Sequence, residues 1–189
     1  MLNKRFIDQL KKDYQKNEIE RRKIISLSNS VLHDSKRIIF ALHRGDIKKA
    51  ESSFTEVEGL IKKLEKDFTI KRVYQEGAYK AAVEEYAEAK TLYLVMQDKK
   101  IDKFTGLSLS YETYLGGICD LVGELVRLAT NEASKKNFKE VEKIKNIVND
   151  IMAELVEFDM TGYLRTKYDQ ARGHLRKIEQ INYEVNIRQ

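Results

Sequence analysis

The feature that most constrains the fold of this chain is the complete absence of proline from its 189 residues. Average usage would place roughly nine prolines in a chain of this length. Because proline interrupts helices and marks many turns, a chain without it suits long, uninterrupted helices. Glycine, the other strong helix breaker, occurs only nine times, so we expect few turns.

Apolar residues recur at helical spacing, and no stretch keeps for long the period of two that a strand requires. We therefore predict an all-α fold of six or seven helices in a single domain that spans residues 1–189. Gly45 and Asp46 are expected to end the first helix and to cap the second. The predicted helices run to about 43, over about 46–67, 71–98, 111–134 and 137–157, and from 163 to the C-terminus, with the best candidate loop at 98–112.

The composition argues against several classes of protein. With 34% charged and 42% hydrophobic residues, the chain resembles neither a disordered nor a membrane protein. No run approaches the roughly 18 apolar residues of a membrane span, and the charged N-terminus is unlike a secretory signal. The single cysteine, Cys119, permits neither an intramolecular disulfide nor a cysteine-based zinc site, so a cytoplasmic location is expected. The net charge of +5 permits nucleic-acid binding without requiring it.

Two pairs of carboxylates are notable for the helix faces on which they fall. Asp120 and Glu124 lie in a polar band opposite an apolar stripe, as they would on an ordinary solvated edge. Glu85 and Glu88, by contrast, share a face with alanine, leucine and methionine side chains, whereas Glu84 is expected to point toward solvent. Because a buried carboxylate without partners is costly, the second pair implies a cation, a protonated state or an interface.

If these two helix faces pack together, the four carboxylates form a cluster without a histidine. All-oxygen ligation of this kind suits Mg²⁺ or Mn²⁺ rather than zinc, and such ions can activate water and stabilise a phosphoryl transition state. A di-iron bundle requires a histidine three residues after a glutamate, which none of the three histidines provides. The chain has no P-loop or GxGxxG motif, and Cys119 lies among apolar neighbours, as a core residue does.

The chain resembles the translin family in four segments that follow one another over most of its length. They are SKRIIFALHRGD at 35–46, EYAEA at 85–89, YLGGICDLVGELVRLATN at 114–131 and LRTKYDQARGHLRKIEQINYEV at 164–185. The segment around Asp120 is similar to the Y-L-x-G-x-x-D-L-x-G-E-L-x-R pattern of the branch called translin-associated factor X. The last segment is closer to translin itself, which binds single-stranded DNA and RNA.

The resemblance implies an all-α subunit of about seven helices that assembles into a hollow octamer. It also implies a Mg²⁺-dependent endoribonuclease for RNA held inside the shell, with catalytic carboxylates at Glu85, Glu88 and Asp120 and a further acid at Glu124. These candidate catalytic and metal-binding residues are the four that the helix faces single out. The loop at 97–110 is much shorter than the insertion of eukaryotic factor X, as in a prokaryotic relative that forms a homo-oligomer.

Basic side chains supply candidate contacts to RNA phosphates, which require only positive charge and hydrogen-bond donors. The candidate nucleic-acid-binding residues are Arg21, Arg22, Lys36, Arg37, His43, Arg44 and Arg127. Each basic cluster taken alone is equally compatible with a solvated helix face. Tyr79, Tyr86 and Tyr93 line one helical stripe, where packing or an interface is a better expectation than base stacking.

Two functions follow from the sequence and the resemblance. The first is a Mg²⁺- or Mn²⁺-dependent endoribonuclease that cuts single-stranded RNA within a homo-oligomeric shell. The alternative is a translin-like oligomer that binds single-stranded RNA or DNA without cutting it. A purely structural helical scaffold leaves the positions of Glu85 and Glu88 unexplained.

Overall fold

The computed structural model describes residues 2–187, which form seven α-helices and no strand. The helices are α1 (Lys4–His43), α2 (Ile47–Phe68), α3 (Ile70–Val73), α4 (Gly77–Met96), α5 (Tyr111–Ser134), α6 (Phe138–Val156) and α7 (Gly162–Ile187). The prediction of an all-α fold with six or seven helices is confirmed. Within residues 2–187, no helix combines the length and apolar character that a membrane crossing requires.

The helix ends form where the turn and capping residues stand in the sequence. Gly45 has a φ of 74°, in the left-handed region that favours glycine, directly after α1. Asp46 caps α2 by accepting a hydrogen bond from the backbone N of Lys49 at 3.3 Å. Ser110 caps α5 in the same way, with the backbone N of Thr113 donating at 3.2 Å. The predicted loop before α5 is also observed.

One predicted helix is wrong in its extent, because the segment expected to run from 71 to 98 is two helices. α3 ends at Val73, and α4 begins at Gly77. The turn between them is fixed by a contact distant in sequence: the Tyr74 hydroxyl donates to Ser108 O at 3.1 Å and accepts from Ser110 N at 2.8 Å. Apolar periodicity within the segment carries no information about such a tertiary contact.

The helices pack around a central pair, α4 and α5. α1 packs on α2 and α4, while α5 packs on α4, α6 and α7. One cluster of buried apolar residues draws on all seven helices, with Ile38, Leu64, Val73, Tyr86, Leu121, Ile144 and Ile178 among its members. Cys119 belongs to this cluster, as predicted from its apolar neighbours, and burial raises the pKa of its thiol to about 12.

A ladder of hydrogen bonds fixes the rotation of α4 about its axis. Three tyrosine hydroxyls, spaced seven residues apart on α4, each donate to a glutamate on the antiparallel α2. The pairs are Tyr79 with Glu65 at 3.1 Å, Tyr86 with Glu58 at 2.9 Å, and Tyr93 with Glu51 at 2.7 Å. The tyrosines thus serve packing, as expected. At 100° per residue, Glu84 and Glu88 lie on the opposite side of α4, and Glu85 lies on its flank, about 100° from the tyrosines.

The backbones of α4 and α5 approach each other closely at Gly117. A Cβ atom at this position would lie 2.8 Å from the Cβ of Ala87 and 2.9 Å from the backbone N of Glu88. Side chains in a close-packed interior do not tolerate such distances, so glycine is needed for this approach. The contact places the carboxylates of α5 beside those of α4.

We predict that Gly117→Ala lowers the free energy of unfolding by about 1–3 kcal/mol, because the added methyl group forces the two helices apart. Gly59 on α2 provides a matched control, since a Cβ atom there would meet nothing within 4 Å. Gly59→Ala should raise the stability by about 0.5–1 kcal/mol through its better helix propensity. Urea unfolding measures both changes, and a Gly117→Ala protein as stable as the Gly59→Ala protein would contradict this account of the interface.

Candidate functional site

Four carboxylates meet where α4 packs against α5, and we call them the acidic centre: Glu85, Glu88, Asp120 and Glu124. Glu88 is only 9% exposed, and the other three side chains are partly buried. The negative charges of Asp120 and Glu124 disfavour ionisation of both carboxyls on α4, so the two pairs face each other. The structure thus brings together the four residues that the sequence singled out.

Two members of the acidic centre, Glu85 and Glu88, lie on α4 and have no hydrogen-bonded or ion-paired partner in the part of the chain that is described. Neither Glu85 nor Glu88 forms a side-chain hydrogen bond or ion pair within residues 2–187. Burial, together with the neighbouring carboxylates, raises the pKa of Glu88 to about 9. Burial also raises the pKa of Glu85, although the positive charge of Lys36 on α1 opposes this shift. Without a cation, Glu88 is therefore a neutral acid at pH 7.

Asp120 is held by a lysine from α7. The Lys167 ammonium donates to the Asp120 carboxylate and to Glu84 Oε1, the latter at 2.9 Å. The Tyr163 hydroxyl also donates to Glu84. Burial raises the pKa of Asp120, while the Lys167 charge and, more weakly, His174 oppose that shift. Burial favours the neutral form of Lys167, but the two carboxylates outweigh it and raise its pKa.

Glu124 is held from the other side by His43 and Arg127. The His43 ring contacts its carboxylate through Nε2, and Arg127 Nη1 donates to it at 3.3 Å. The guanidinium carbon of Arg127 lies 5.0 Å from the centre of the Phe40 ring. Burial opposes ionisation of Glu124, but His43 and Arg127 together hold its pKa below the usual range.

The donor chemistry of the acidic centre fits a hard divalent cation, because four carboxylates supply oxygen alone and two of them lack a partner among residues 2–187. In this conformation, however, no three His, Cys, Asp or Glu side chains within residues 2–187 converge closely enough to hold a metal ion. The ion pairs of the two α5 acids explain why carboxylates with suitable donor chemistry do not converge in this conformation. Asp120 is drawn to Lys167, and Glu124 is drawn to His43 and Arg127.

The structure corrects two details of the predicted cluster. A cluster without a histidine was expected, yet His43 contacts Glu124, because the end of α1 packs beside α5. Glu84 was expected to face solvent, yet its side chain is only 12% exposed and pairs with Lys167. Gly116 leaves the space that the Glu84 carboxylate occupies. Both differences arise from packing between helices far apart in the sequence.

The candidate RNA contacts are distributed unevenly around the acidic centre. Lys36 is exposed and close enough to influence Glu85, and Arg127 is exposed beside Glu124. His43, by contrast, has a side chain that is only 4% exposed and contacts Glu124, so it packs against the acidic centre and is not an exposed RNA contact. The remaining candidates, Arg21, Arg22, Arg37 and Arg44, are exposed, with Arg21 paired to Glu18 and Glu76 and Arg37 to Asp34. Residues 21 and 22 lie about 20 Å from Lys36 along α1.

Sequence reasoning missed the residues that α7 contributes, Tyr163, Lys167 and His174. A signal for them exists in the buried positions of α7, since Ala171, Ile178 and Val185 are seven residues apart. A residue four positions before Ala171 shares the face that packs against α5. This is the position of Lys167.

We predict that Glu88→Gln stabilises the metal-free protein at alkaline pH. The folded protein keeps a proton on Glu88 up to a pKa of about 9, whereas the unfolded chain releases it near the ordinary glutamate pKa of 4.5. The free energy of unfolding therefore falls as the pH rises between these values. Glutamine cannot ionise, so in EDTA at pH 8 the variant should be more stable than the wild type by about 4–5 kcal/mol.

Thermal unfolding from pH 5 to pH 9 at fixed protein concentration measures this difference. Glu154→Gln on α6 is the matched control, because Glu154 is exposed and its removal should leave the pH dependence as it is. Stability curves for the wild type and Glu88→Gln that stay parallel over this range would contradict the burial of a neutral Glu88.

The comparisons with known proteins agree with this architecture. The model of the translin family matches residues 19–189. An uncharacterised protein of Methanocaldococcus jannaschii is 31% identical over 162 residues, which cover 83% of this chain and 72% of that protein. The translin-associated protein X homolog of Schizosaccharomyces pombe is 24% identical over 195 residues, which cover 93% and 84% of the two chains.

Solved structures share the fold over nearly the whole chain. The crystal structure of apo-NeC3PO is 26% identical, covers 98% of both chains and superposes with a TM-score of 0.85. The structure of an AfC3PO–duplex RNA complex is 20% identical, covers 97% of both chains and also has a TM-score of 0.85. With the family model spanning most of its length, the chain belongs to the translin family.

Proposed function

We propose that this protein is an RNA-binding, Mg²⁺- or Mn²⁺-dependent endoribonuclease whose acidic centre holds the metal. The observation that carries the proposal is a pair of carboxylates without a partner in residues 2–187, the partly buried Glu85 and the buried Glu88, which lie opposite Asp120 and Glu124. Burying two acids without a cation costs several kcal/mol. A protein that needed α4 only for packing gains nothing from this arrangement.

The residues of the acidic centre differ in what they offer a divalent cation. Glu85 and Glu88 have no competing cation partner within residues 2–187, so they are the first ligands, with Asp120 as the third. Glu124 keeps its negative charge through His43 and Arg127 and completes the set. When bound there, Mg²⁺ would activate water and stabilise the charge that develops on the phosphodiester.

Support for RNA as the substrate comes from the relatives and from the surface around the centre. A protein with the same fold, AfC3PO, has been solved in complex with duplex RNA. Lys36 and Arg127 are exposed beside the acidic centre, where they can contact phosphates. We extend the proposal, on the translin resemblance, to single-stranded RNA held in a hollow homo-octamer in the cytoplasm.

A second candidate function, binding without cutting, is favoured by a different observation. The acids on α5 already carry cation partners from the same chain, and no three ligands converge within residues 2–187. A translin-like protein that only sequesters single-stranded RNA or DNA needs no metal. It would bind RNA in a salt-sensitive manner and release no product in Mg²⁺ or Mn²⁺.

The test is cleavage of a labelled single-stranded RNA in Mg²⁺. We predict that Glu85→Gln, Glu88→Gln and Asp120→Asn each reduce the cleavage rate by about a hundredfold or more, since each removes a charged ligand that stabilises the transition state. Glu154→Gln, the same change at an exposed site on α6, should cut like the wild type. The mass of the assembly, near eight times the 22.1 kDa of one chain, should be unchanged in all four variants.

Two outcomes would contradict the proposed nuclease activity. One is full cleavage in EDTA, and the other is full cleavage by all three variants of the acidic centre. Salt-sensitive binding of RNA without any product in Mg²⁺ or Mn²⁺ would establish the second candidate function instead. Parallel reactions on duplex RNA and on single-stranded DNA measure the substrate preference.

A further inference from the structure

Lys167 of α7 is a cation in direct contact with one of the proposed metal ligands. Its ammonium bridges two carboxylates, Asp120 on α5 and Glu84 on α4. The side chain is 17% exposed, so the pair is largely shielded from solvent. A shielded ion pair is stronger than one on the surface, where screening leaves little net energy.

The surrounding structure holds this lysine in place. On α7, Lys167 lies one turn before the buried Ala171, so packing of the helix on α5 directs its side chain toward Asp120. Tyr163, one turn earlier, donates its hydroxyl to Glu84, and the centre of its ring lies 5.4 Å from the Lys167 Nζ. The ammonium therefore has two anchors, Glu84 and Tyr163, that lie outside the acidic centre.

We propose that Lys167 competes with the divalent cation for Asp120 and, once displaced, binds the RNA phosphate at the same site. This inference rests on the proposed metal site. In the metal-free protein, the ammonium neutralises Asp120 and keeps it from the carboxylates of α4. If Asp120 rotates away to bind a divalent cation, the ammonium remains paired with Glu84 beside the acidic centre. The N–H donor that Asp120 has left can then donate a hydrogen bond to a phosphate oxygen.

The chemistry of a lysine side chain explains how it can compete with a metal ion for Asp120. A lysine ammonium is a compact charge on a flexible stem with three donors, so it can leave one carboxylate while keeping another. Glu84 is suited to the second role, because it pairs with Lys167 and Tyr163 and is not a member of the acidic centre. Lys167 is thus a substrate-binding residue that also sets the metal affinity.

The first test measures Mn²⁺ binding by the intact protein in the absence of RNA, using isothermal titration calorimetry. Lys167→Met and Lys167→Gln remove the competing charge and should each bind Mn²⁺ about tenfold more tightly than the wild type. Lys167→Arg keeps the charge and should stay within about twofold of the wild type. Lys177→Met, at an exposed lysine on α7, is the matched control and should also stay within about twofold.

The second test measures the salt dependence of single-stranded RNA binding in Ca²⁺. Loss of one phosphate contact should reduce the slope of log K against log salt by about 0.7 in Lys167→Met, while Lys167→Arg keeps the slope of the wild type. Equal Mn²⁺ affinity in the wild type and in both neutral variants, all folded by circular dichroism, would overturn the inference and leave the proposed metal site standing. If none of these proteins, wild type included, binds Mn²⁺, the proposed function fails and the inference fails with it.

Discussion

The close approach of α4 and α5 at Gly117 is the constraint on which the functional part of the structure depends. With no Cβ at this position, the backbone of α4 lies against α5. The acids of the two helices therefore lie close together and are partly shielded from solvent. The tyrosine–glutamate ladder to α2 holds α4 in the rotation that turns Glu85 and Glu88 away from α2. Backbone packing and side-chain hydrogen bonds therefore combine to gather charges that repel one another.

The molecule handles this repulsion differently on its two central helices. On α4, burial favours the protonated form of Glu88, so this acid need not carry a charge. On α5, Asp120 is paired with Lys167 of α7, and Glu124 is paired with Arg127 of α5 and contacts His43 of α1. A divalent cation bound as proposed would replace both devices at once, since it would favour ionised carboxylates and take the place of the ammonium. The metal-free arrangement of the acidic centre would then differ from the metal-bound one mainly in the partner of Asp120.

Most of the fold and about half of the residues at the site can be predicted from the sequence. Helix periodicity, the cap at Asp46 and the faces of Glu85 and Glu88 depend on neighbouring residues, so they can be predicted from local patterns. The break before Gly77 depends on a tyrosine bonded to a distant loop, and no local pattern records it. His43 and Lys167 reach the acidic centre only because α1 and α7 pack beside α4 and α5. Charges at a tertiary contact are therefore the part that sequence reasoning missed.

Crystals grown in Mn²⁺ would show, through anomalous scattering, whether the acidic centre binds a divalent cation. We expect a manganese peak within coordination distance of Glu85, Glu88 and Asp120, with the Lys167 ammonium moved off Asp120 and still on Glu84. If Asp120 instead stays paired with Lys167 and no manganese binds among these carboxylates at millimolar concentration, the acidic centre is not a metal site.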